Sequence, residues 1–225
     1  MLVQNFFSCI RALRYIVEYI IAPPVCYACK SFIRQRVILC QSCDDLILPI
    51  APKIFRINAS YTMVVHAVCK YDNNPVKLLI LSKHRSDYVL IEGLAQLIWE
   101  KTIISHMHVD YVVPIPLHWS RRLKRGFNQS EILACTISAK MNAQVFNQLT
   151  RTRKTEYQAR LEKEYRNDNV KGAFKVLKHG ELLQNKHIVL IDDLCTTGST
   201  AIEVAKVLAR YKPASISLLV ASRAL

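Results

Sequence analysis

Glycine is scarce in this chain, and acidic side chains are few beside basic ones. The 225 residues include only 5 Gly and 8 Pro, and 51% are hydrophobic, which predicts a compact globular protein with one good-sized core and a small appendage. Lys and Arg number 31 against 17 Asp and Glu, so the formal net charge is +14. Such an excess predicts attraction to polyanions, whether nucleic acid, anionic lipid or phosphorylated substrates.

Signals for export and for membrane insertion are also missing. A signal peptide would begin with a basic stretch and a spanning helix would need roughly 20 uninterrupted apolar residues, and residues 1–22 show neither. Their apolar side chains recur at three-and-four spacing around Gln4, Arg11 and Glu18, which predicts an amphipathic helix. This helix either packs on its own domain or binds a membrane surface or partner. We expect a cytoplasmic protein, with peripheral attachment at the inner face of the membrane left open.

Prolines and changes of periodicity divide the chain into three parts. We expect the N-terminal helix at 1–22, a cysteine-rich module at 23–55 and a larger domain at 56–225. In the larger domain apolar runs alternate with helical periodicity, which predicts an α/β fold with a mainly parallel sheet covered by helices on both faces. The predicted strands cover residues 63–68, 111–115, 144–149, 172–176, 187–191 and 215–220, and the predicted helices cover 75–82, 88–104, 127–141 and 199–211.

The cysteine-rich module has the spacing of a metal site. Cys26 and Cys29 form one pair and Cys40 and Cys43 another, with ten residues between the pairs. Each Cys-x-x-Cys pair chelates a metal from a tight turn, and the intervening loop is long enough to bring both pairs into one tetrahedron. Four filled positions leave no room for a reactive water, so we predict a structural zinc ion that stabilises a module too small to bury a core.

The basic residues of the loop between the cysteine pairs, and the cysteines outside these pairs, have less specific patterns. Basic residues between the two cysteine pairs either meet phosphates or form a solvated rim. They are Lys30, Arg34 and Arg36. Three further cysteines lack metal-binding spacing, and we predict buried thiols at Cys9, Cys69 and Cys135.

A second motif follows the apolar run 188–191, which is typical of a buried parallel strand. Asp192 and Asp193 come where this strand is expected to leave the sheet, and adjacent carboxylates there are costly unless they accept hydrogen bonds from paired hydroxyls, as on a ribose ring. A hydroxyl-rich turn and a helix N-terminus follow, and both favour a phosphate. We predict a sugar-phosphate cradle in which the two aspartates bind the ribose. The predicted phosphate-binding residues are Cys195, Thr196, Thr197, Gly198, Ser199 and Thr200.

This segment resembles the phosphoribosyl-pyrophosphate motif of type I phosphoribosyltransferases. With the four-cysteine module and further motifs in order, the chain resembles the ComF family of bacterial competence proteins over roughly residues 24–221. The motifs are VPIPLHW at 113–119, RGFNQS at 125–130, RTRKT at 151–155 with Gln158, and NVKGAF at 169–174.

The resemblance implies a type I phosphoribosyltransferase-like domain that binds phosphoribosyl pyrophosphate together with Mg²⁺. It also implies a role in natural transformation, handling internalised single-stranded DNA, with competence-machinery proteins at the inner membrane as partners. Two other functions stay open. One is an active phosphoribosyltransferase of nucleotide metabolism, and the other is a sensor that binds phosphoribosyl pyrophosphate without turning it over.

The basic surplus is concentrated between residues 118 and 178, which contain 14 Lys or Arg and 5 Asp or Glu. By resemblance, one basic group follows the strand that carries the pyrophosphate loop, and a second begins a mobile loop that closes over the substrate. Each group either holds pyrophosphate, tracks a nucleic-acid backbone or forms a solvated face. The first group is Arg121, Arg122, Lys124 and Arg125, and the second is Arg151, Arg153 and Lys154.

Aromatic and capping residues are interleaved with these basic groups. Trp119, Phe127 and Tyr157 offer faces on which single-stranded bases would stack. Gly126 is expected to permit a tight turn, and the next predicted helix is expected to be capped by Asn128 or Ser130.

Overall fold

The computed structural model describes residues 23–33, 37–72, 74–82, 88–153 and 170–224. The chain separates into two compact units, Met1–Leu46 and Ile47–Leu225, and the division into three parts stays a prediction. The amphipathic helix expected over residues 1–22 lies outside the described residues, as do Arg34 and Arg36. Within the described ranges, every helix is too short or too polar to cross a membrane.

The second unit alternates strands and helices along most of its length. Short 3-10 helices at Ile103–His106 and Gly180–Leu183 precede the strands that begin at Tyr111 and His187. The strands are β1 (Lys53–Arg56), β2 (Thr62–Lys70), β3 (Tyr111–Pro114), β4 (Gln144–Val145), β5 (Leu149–Arg151), β6 (Phe174–Val176), β7 (His187–Cys195) and β8 (Ser215–Arg223). The helices are α2 (Pro75–Ser82), α3 (Tyr88–Lys101), α4 (Trp119–Arg125), α5 (Gln129–Met141) and α6 (Ser199–Ala209), and α1 (Gln41–Asp44) lies in the first unit.

The main sheet has the order β1-β2-β8-β7-β3-β4. All of its strand pairs are parallel except β1 with β2, which is antiparallel at the edge. The parallel strands are apolar on both faces because helices cover both sides. The predicted α/β fold with a mainly parallel sheet is therefore confirmed.

The core lies between this sheet and the helices. Leu190 on β7 and Leu218 on β8 are buried together with Val204 and Leu208 of α6. Helices α3 and α5 pack against each other, and α5 also packs on β3 and β7. Fully burying an aliphatic side chain of this size stabilises the fold by roughly 1.5–3 kcal/mol, so these layers fix the position of the strand ends.

Some elements differ from those that the sequence predicts. The strand expected at 144–149 is divided into β4, in the main sheet, and β5, which forms a separate antiparallel pair with β6. The strand expected to end at residue 191 continues to Cys195, because β8 provides a pairing partner as far as Arg223. Asp192 and Asp193 therefore lie within the last part of β7 rather than after it.

The helix α4 was not predicted from the sequence. The His118 side chain caps its first turn by accepting a hydrogen bond from Ser120 N at 3.3 Å. Gly126 ends it in the left-handed region with φ 80°, and its N–H donates to Arg122 O at 2.7 Å. The expected turn at Gly126 is thus a helix C-cap, in the conformation for which glycine carries no Cβ penalty.

In the first unit, the chain folds tightly around its cysteines. Backbone hydrogen bonds join Cys26 N to Ser31 O at 2.8 Å and Lys30 N to Cys26 O at 2.9 Å. Lys30 adopts a positive φ of 64° to close this turn. Near the second pair, Cys43 N donates to Cys40 O at 3.0 Å. Each cysteine pair therefore sits on its own tight turn.

Candidate functional site

The carboxyl end of β7, the following turn and the start of α6 form the centre of the candidate site. Gly198 is the N-cap of α6 and has no side chain to bond the first helical N–H groups. The residues on either side of it, Thr197 and Ser199, have their hydroxyls 2.7 Å apart. This arrangement points hydroxyls and the N-terminus of a helix at the same place, which is the chemistry that favours a phosphate group.

A small, partly open cleft lies beside this turn. Asp192 is at one wall, whereas Asp193 is not among the lining residues. The predicted phosphate residues other than Thr197 all contribute to the lining. The lining residues are Ile115, Asp192, Leu194, Cys195, Thr196, Gly198, Ser199, Thr200, Ala201, Leu218 and Val220.

Asp192 is oriented by a contact that sequence reasoning missed. Its Oδ1 accepts hydrogen bonds from Ser130 Oγ and from Asp193 N, both at 2.9 Å. Ser130 is 3% exposed and lies in the first turn of α5. Asn128 caps that helix by accepting from Ser130 N at 3.2 Å, and its Nδ2 donates to Ile115 O at the same distance. Of the two predicted capping residues, Asn128 and Ser130, the structure has Asn128 as the cap, and Ser130 connects the motif at 125–130 to Asp192 in the cleft.

Cys195 is buried beneath the turn, with 4% of its surface exposed. Burial, followed by the negative charge of Asp192, raises the pKa of its thiol to about 11. The thiol is therefore neutral at physiological pH and does not repel an anion. Its role as a phosphate-binding residue stays a prediction.

Phe55 is a second residue that the sequence did not indicate. It lies on β1, far from residue 198 in the chain, yet its ring lies 3.0 Å from the position that a Cβ would take at Gly198. Gly198 itself has φ +78°, a conformation that residues with side chains rarely adopt. Glycine is needed here for two separate reasons, and each can be tested.

The predicted basic residues differ in their exposure to solvent and in the groups that they contact. Arg122 is exposed and forms an ion pair with Glu131 at 2.8 Å, a contact worth roughly 0–1 kcal/mol at a surface. Arg151 is 7% exposed, and its guanidinium lies over the Phe174 ring at 5.2 Å. Arg153 is exposed and donates from Nη2 to Lys171 O at 2.8 Å. Arg122 and Arg153 are thus accessible to a ligand, whereas Arg151 packs against β6.

The remaining basic candidates have no described side chain. Arg121, Lys124 and Arg125 contribute backbone to α4, and their side chains are outside the described set. Lys154 lies outside the described residues, together with Tyr157 and Gln158.

Two of the predicted stacking residues are near each other along the chain but differ in exposure. Trp119 is 65% exposed, with its ring centroid 5.4 Å from that of His118. Phe127 is half-buried and packs against Tyr88 at a centroid distance of 5.6 Å. Trp119 therefore presents an open aromatic face, and Phe127 mainly stabilises the turn after α4.

The four cysteines of the first unit converge. The Sγ atoms of Cys26, Cys29, Cys40 and Cys43 all lie within 4.8 Å of one another, and those of Cys29 and Cys40 are 3.7 Å apart. Tetrahedral Zn–S bonds of about 2.3 Å would place sulfur atoms about 3.8 Å apart. The cluster could therefore hold a metal ion, and four thiolates at these separations are consistent with zinc.

Within this cluster the pKa of one thiol is lowered and that of another is raised. The Ser31 hydroxyl, 2.9 Å from Cys29 Sγ, lowers the pKa of Cys29 to about 6. Burial, followed by the neighbouring cysteine sulfur atoms, raises the pKa of Cys43 to about 12. Thiolates this close repel one another, so a divalent cation would favour their joint deprotonation.

The other cysteines that the structure describes differ from the prediction in one case. Cys69 is buried as predicted, but Cys135 is exposed, so the buried thiol predicted there is wrong. Cys135 lies on α5 at the edge of the face that packs on the sheet, where neighbouring Leu133 and Ala134 take the buried positions. Cys9 lies outside the described residues.

Comparison with known proteins places this geometry in a family. The Phosphoribosyl transferase domain family matches residues 130–224. The DNA utilization protein YhgH of Salmonella typhimurium is 32% identical over 209 residues, which cover 86% of this chain and 88% of that protein. The chain belongs to the ComF family. Competence protein F of Haemophilus influenzae is 31% identical over 100 residues, 44% of either chain. A solved structure of the allosteric regulatory enzyme of purine biosynthesis is similar over 58% of this chain and 25% of that one, with 14% identity and a TM-score of 0.40.

We predict that Gly198→Ala destabilises this ComF family member more than Gly172→Ala does. Both glycines have a positive φ, but a Cβ at residue 172 meets nothing within 4 Å, whereas one at residue 198 meets the Phe55 ring. The left-handed conformation alone costs about 1–2 kcal/mol, and the contact with Phe55 adds to this at residue 198 only. Urea unfolding of the two variants measures the difference, and equal losses would mean that Phe55 moves aside freely.

Proposed function

We propose that this chain is a competence protein that handles internalised single-stranded DNA, and that its phosphoribosyltransferase-type domain binds phosphoribosyl pyrophosphate with Mg²⁺. The observation that carries the second part is the oriented carboxylate of Asp192 beside the α6 N-terminus. In this role the protein acts in the cytoplasm, alongside competence-machinery proteins at the inner face of the membrane. The names of its relatives, DNA utilization protein and competence protein, support the first part.

The ligand is proposed to lie along the turn after β7. The carboxylates of Asp192 and Asp193 accept hydrogen bonds from the ribose hydroxyls, and the 5′-phosphate occupies the start of α6 beside the hydroxyls of Thr197 and Ser199. Pyrophosphate then extends towards Ile115, which lines the cleft and directly follows the end of β3. Mg²⁺ prefers phosphate and carboxylate oxygens and would supply charge neutralisation for the pyrophosphate.

We expect Asp192→Asn to weaken binding of phosphoribosyl pyrophosphate in the presence of magnesium. Hydrogen bonds to charged groups contribute about 1.5–3 kcal/mol each, so the Kd should rise roughly 10- to 150-fold. Isothermal titration calorimetry measures this. Glu181→Gln is the matched control, since it removes one exposed carboxylate before the start of β7. An unchanged Kd in Asp192→Asn would contradict the proposed site.

Single-stranded DNA is proposed to follow α4. Trp119 provides an exposed aromatic face there, and Arg122 provides an exposed cation that forms an ion pair with Glu131 at the surface. Bases of any sequence stack on such a face, while basic side chains neutralise the backbone. The net charge of +14 acts in the same direction.

Removing this aromatic face tests the DNA path. We expect Trp119→Ala to weaken binding of an oligothymidine by roughly 5- to 150-fold, because stacking contributes about 1–3 kcal/mol per base. Leu123→Ala is the control, since Leu123 lies one turn later on the same helix and is 75% exposed but has no aromatic ring. Fluorescence anisotropy at fixed salt measures both. If the two variants lose the same affinity, stacking on Trp119 does not contribute.

The four-cysteine cluster is proposed to hold one structural zinc ion. We expect elemental analysis to find one zinc per chain in the wild type and in Cys135→Ser, and its loss in Cys29→Ser. Cys135 is an exposed thiol outside the cluster, so its substitution controls for handling of a cysteine variant. Zinc retained at full occupancy in Cys29→Ser would refute four-cysteine ligation.

A further inference from the structure

Helix α4 presents its apolar side chains to the solvent. Trp119 and Leu123 are four residues apart, so they lie on one face of the helix, and they are 65% and 75% exposed. His118, which caps the helix, is 3% exposed, so the polar cap faces the protein while the apolar pair faces outwards. Surface helices of globular proteins usually bury the apolar face. Neighbouring apolar side chains this exposed indicate a surface that a partner covers.

The start of α3 continues this surface beyond the end of α4. The Tyr88 ring contacts that of Phe127, the second residue after α4, at a centroid distance of 5.6 Å. Both Tyr88 and the adjacent Val89 are exposed. Two elements therefore present large apolar side chains close to each other. Together these side chains form the α3–α4 face, which consists of Tyr88, Val89, Trp119 and Leu123.

Single-stranded DNA does not account for the composition of this face. Bases stack on aromatic rings, so the proposed DNA path uses Trp119 and leaves the aliphatic side chains of Val89 and Leu123 without a role. Protein–protein interfaces, in contrast, have an apolar centre and are enriched in Trp, Tyr and Arg. The mixture of aromatic, aliphatic and basic residues around α4 is therefore typical of a protein-binding surface.

The charge of α4 favours an acidic partner. Four of its seven residues are Arg or Lys and none is acidic. A carboxylate already contacts this helix, because Arg122 Nη1 donates to Glu131 Oε1 at 2.8 Å. A guanidinium carries five N–H donors, so it can also bind a carboxylate supplied by another chain.

Acidic residues beside the face argue against an anionic lipid surface as the occupant. Glu92 is exposed on α3, one turn after Tyr88, and Glu131 follows Phe127 at the start of α5. A flat anionic bilayer laid on the face would be brought against both carboxylates. A peptide is narrow enough to pass beside them while its own carboxylates approach α4.

We propose that the α3–α4 face binds an acidic amphipathic segment of a partner protein. Apolar side chains of that segment pack on Trp119 and Leu123, and its carboxylates pair with the basic residues of α4. The inference shares Trp119 with the proposed DNA path but does not depend on it, because it rests on the aliphatic side chains. The two ligands compete for Trp119, so arrival of the partner releases DNA from this helix.

Fluorescence anisotropy of a labelled synthetic peptide tests the face. The peptide is helical and carries leucines at i and i+4 among glutamates, and two matched peptides have glutamine in place of the leucines or lysine in place of the glutamates. We expect the first peptide to bind the full chain saturably and the matched peptides to bind far more weakly. Leu123→Ala should weaken the first peptide at least about fivefold, which corresponds to the roughly 1 kcal/mol of an interface hot spot, and leave oligothymidine binding unchanged. Trp119→Ala should weaken both ligands.

Leu182→Ala is the matched control, because Leu182 is also exposed but lies in the 3-10 helix before the amino end of β7. It should leave peptide binding unchanged. The proposal is overturned if Leu123→Ala has no effect on the peptide, if Leu182→Ala weakens it equally, or if the leucine-free peptide binds as tightly. It is also overturned if the chain binds phosphatidylglycerol vesicles through Leu123 and does not bind the acidic peptide. Binding of the peptide without any binding of oligothymidine would instead refute the proposed DNA path and support this inference.

Discussion

The parallel pairing of β7 with β8 is the constraint on which the candidate site depends. It continues past the apolar core as far as Cys195 and Arg223, so both aspartates are held in an ordered strand. A strand that ended at residue 191 would leave the acidic pair on a loop. Because the ladder fixes Asp192 from the β8 side and Ser130 fixes its carboxylate from α5, the cleft is formed by packed elements before any ligand arrives.

The sequence predicts those parts of the site whose residues are close together in the chain. The two cysteine pairs and the turn from Asp192 to Thr200 are local patterns, and a short segment can indicate their chemistry. The same holds for the alternation of apolar strands and helices that predicts the parallel sheet. In these cases local conformation and ligand chemistry impose requirements on neighbouring residues, so the pattern is visible without tertiary structure.

Residues brought in by tertiary folding could not be predicted in this way. Ser130 reaches Asp192 across 62 positions, and Arg223 reaches Ala51 across 172. The Phe55 ring leaves little room for a side chain at Gly198, and Phe55 lies on β1, the edge strand of the main sheet. The residues around Ser130, Phe55 and Arg223 in the sequence form no pattern that indicates these contacts. The contacts of these three side chains depend on which strands and helices become neighbours in the fold. The short helix α4 was not predicted because its basic residues were interpreted as ligand-binding or solvated side chains. Its N-cap is His118, which is not among the residues most common at that position.

Local charge also argues that the two proposed ligands occupy different surfaces. The chain is strongly basic overall, yet the charged side chain that lines the cleft is the carboxylate of Asp192, and Asp193 follows it in the chain. A nucleic-acid backbone brought against these carboxylates would be repelled, whereas a pyrophosphate accompanied by Mg²⁺ brings its own compensating charge. Around Trp119 and Arg122 the charge is of the opposite sign, because four of the seven residues of α4 are Arg or Lys and none is acidic. A single strand is therefore favoured along α4, and the sugar phosphate is favoured in the cleft that Ser130 and Asn128 connect to the end of that helix.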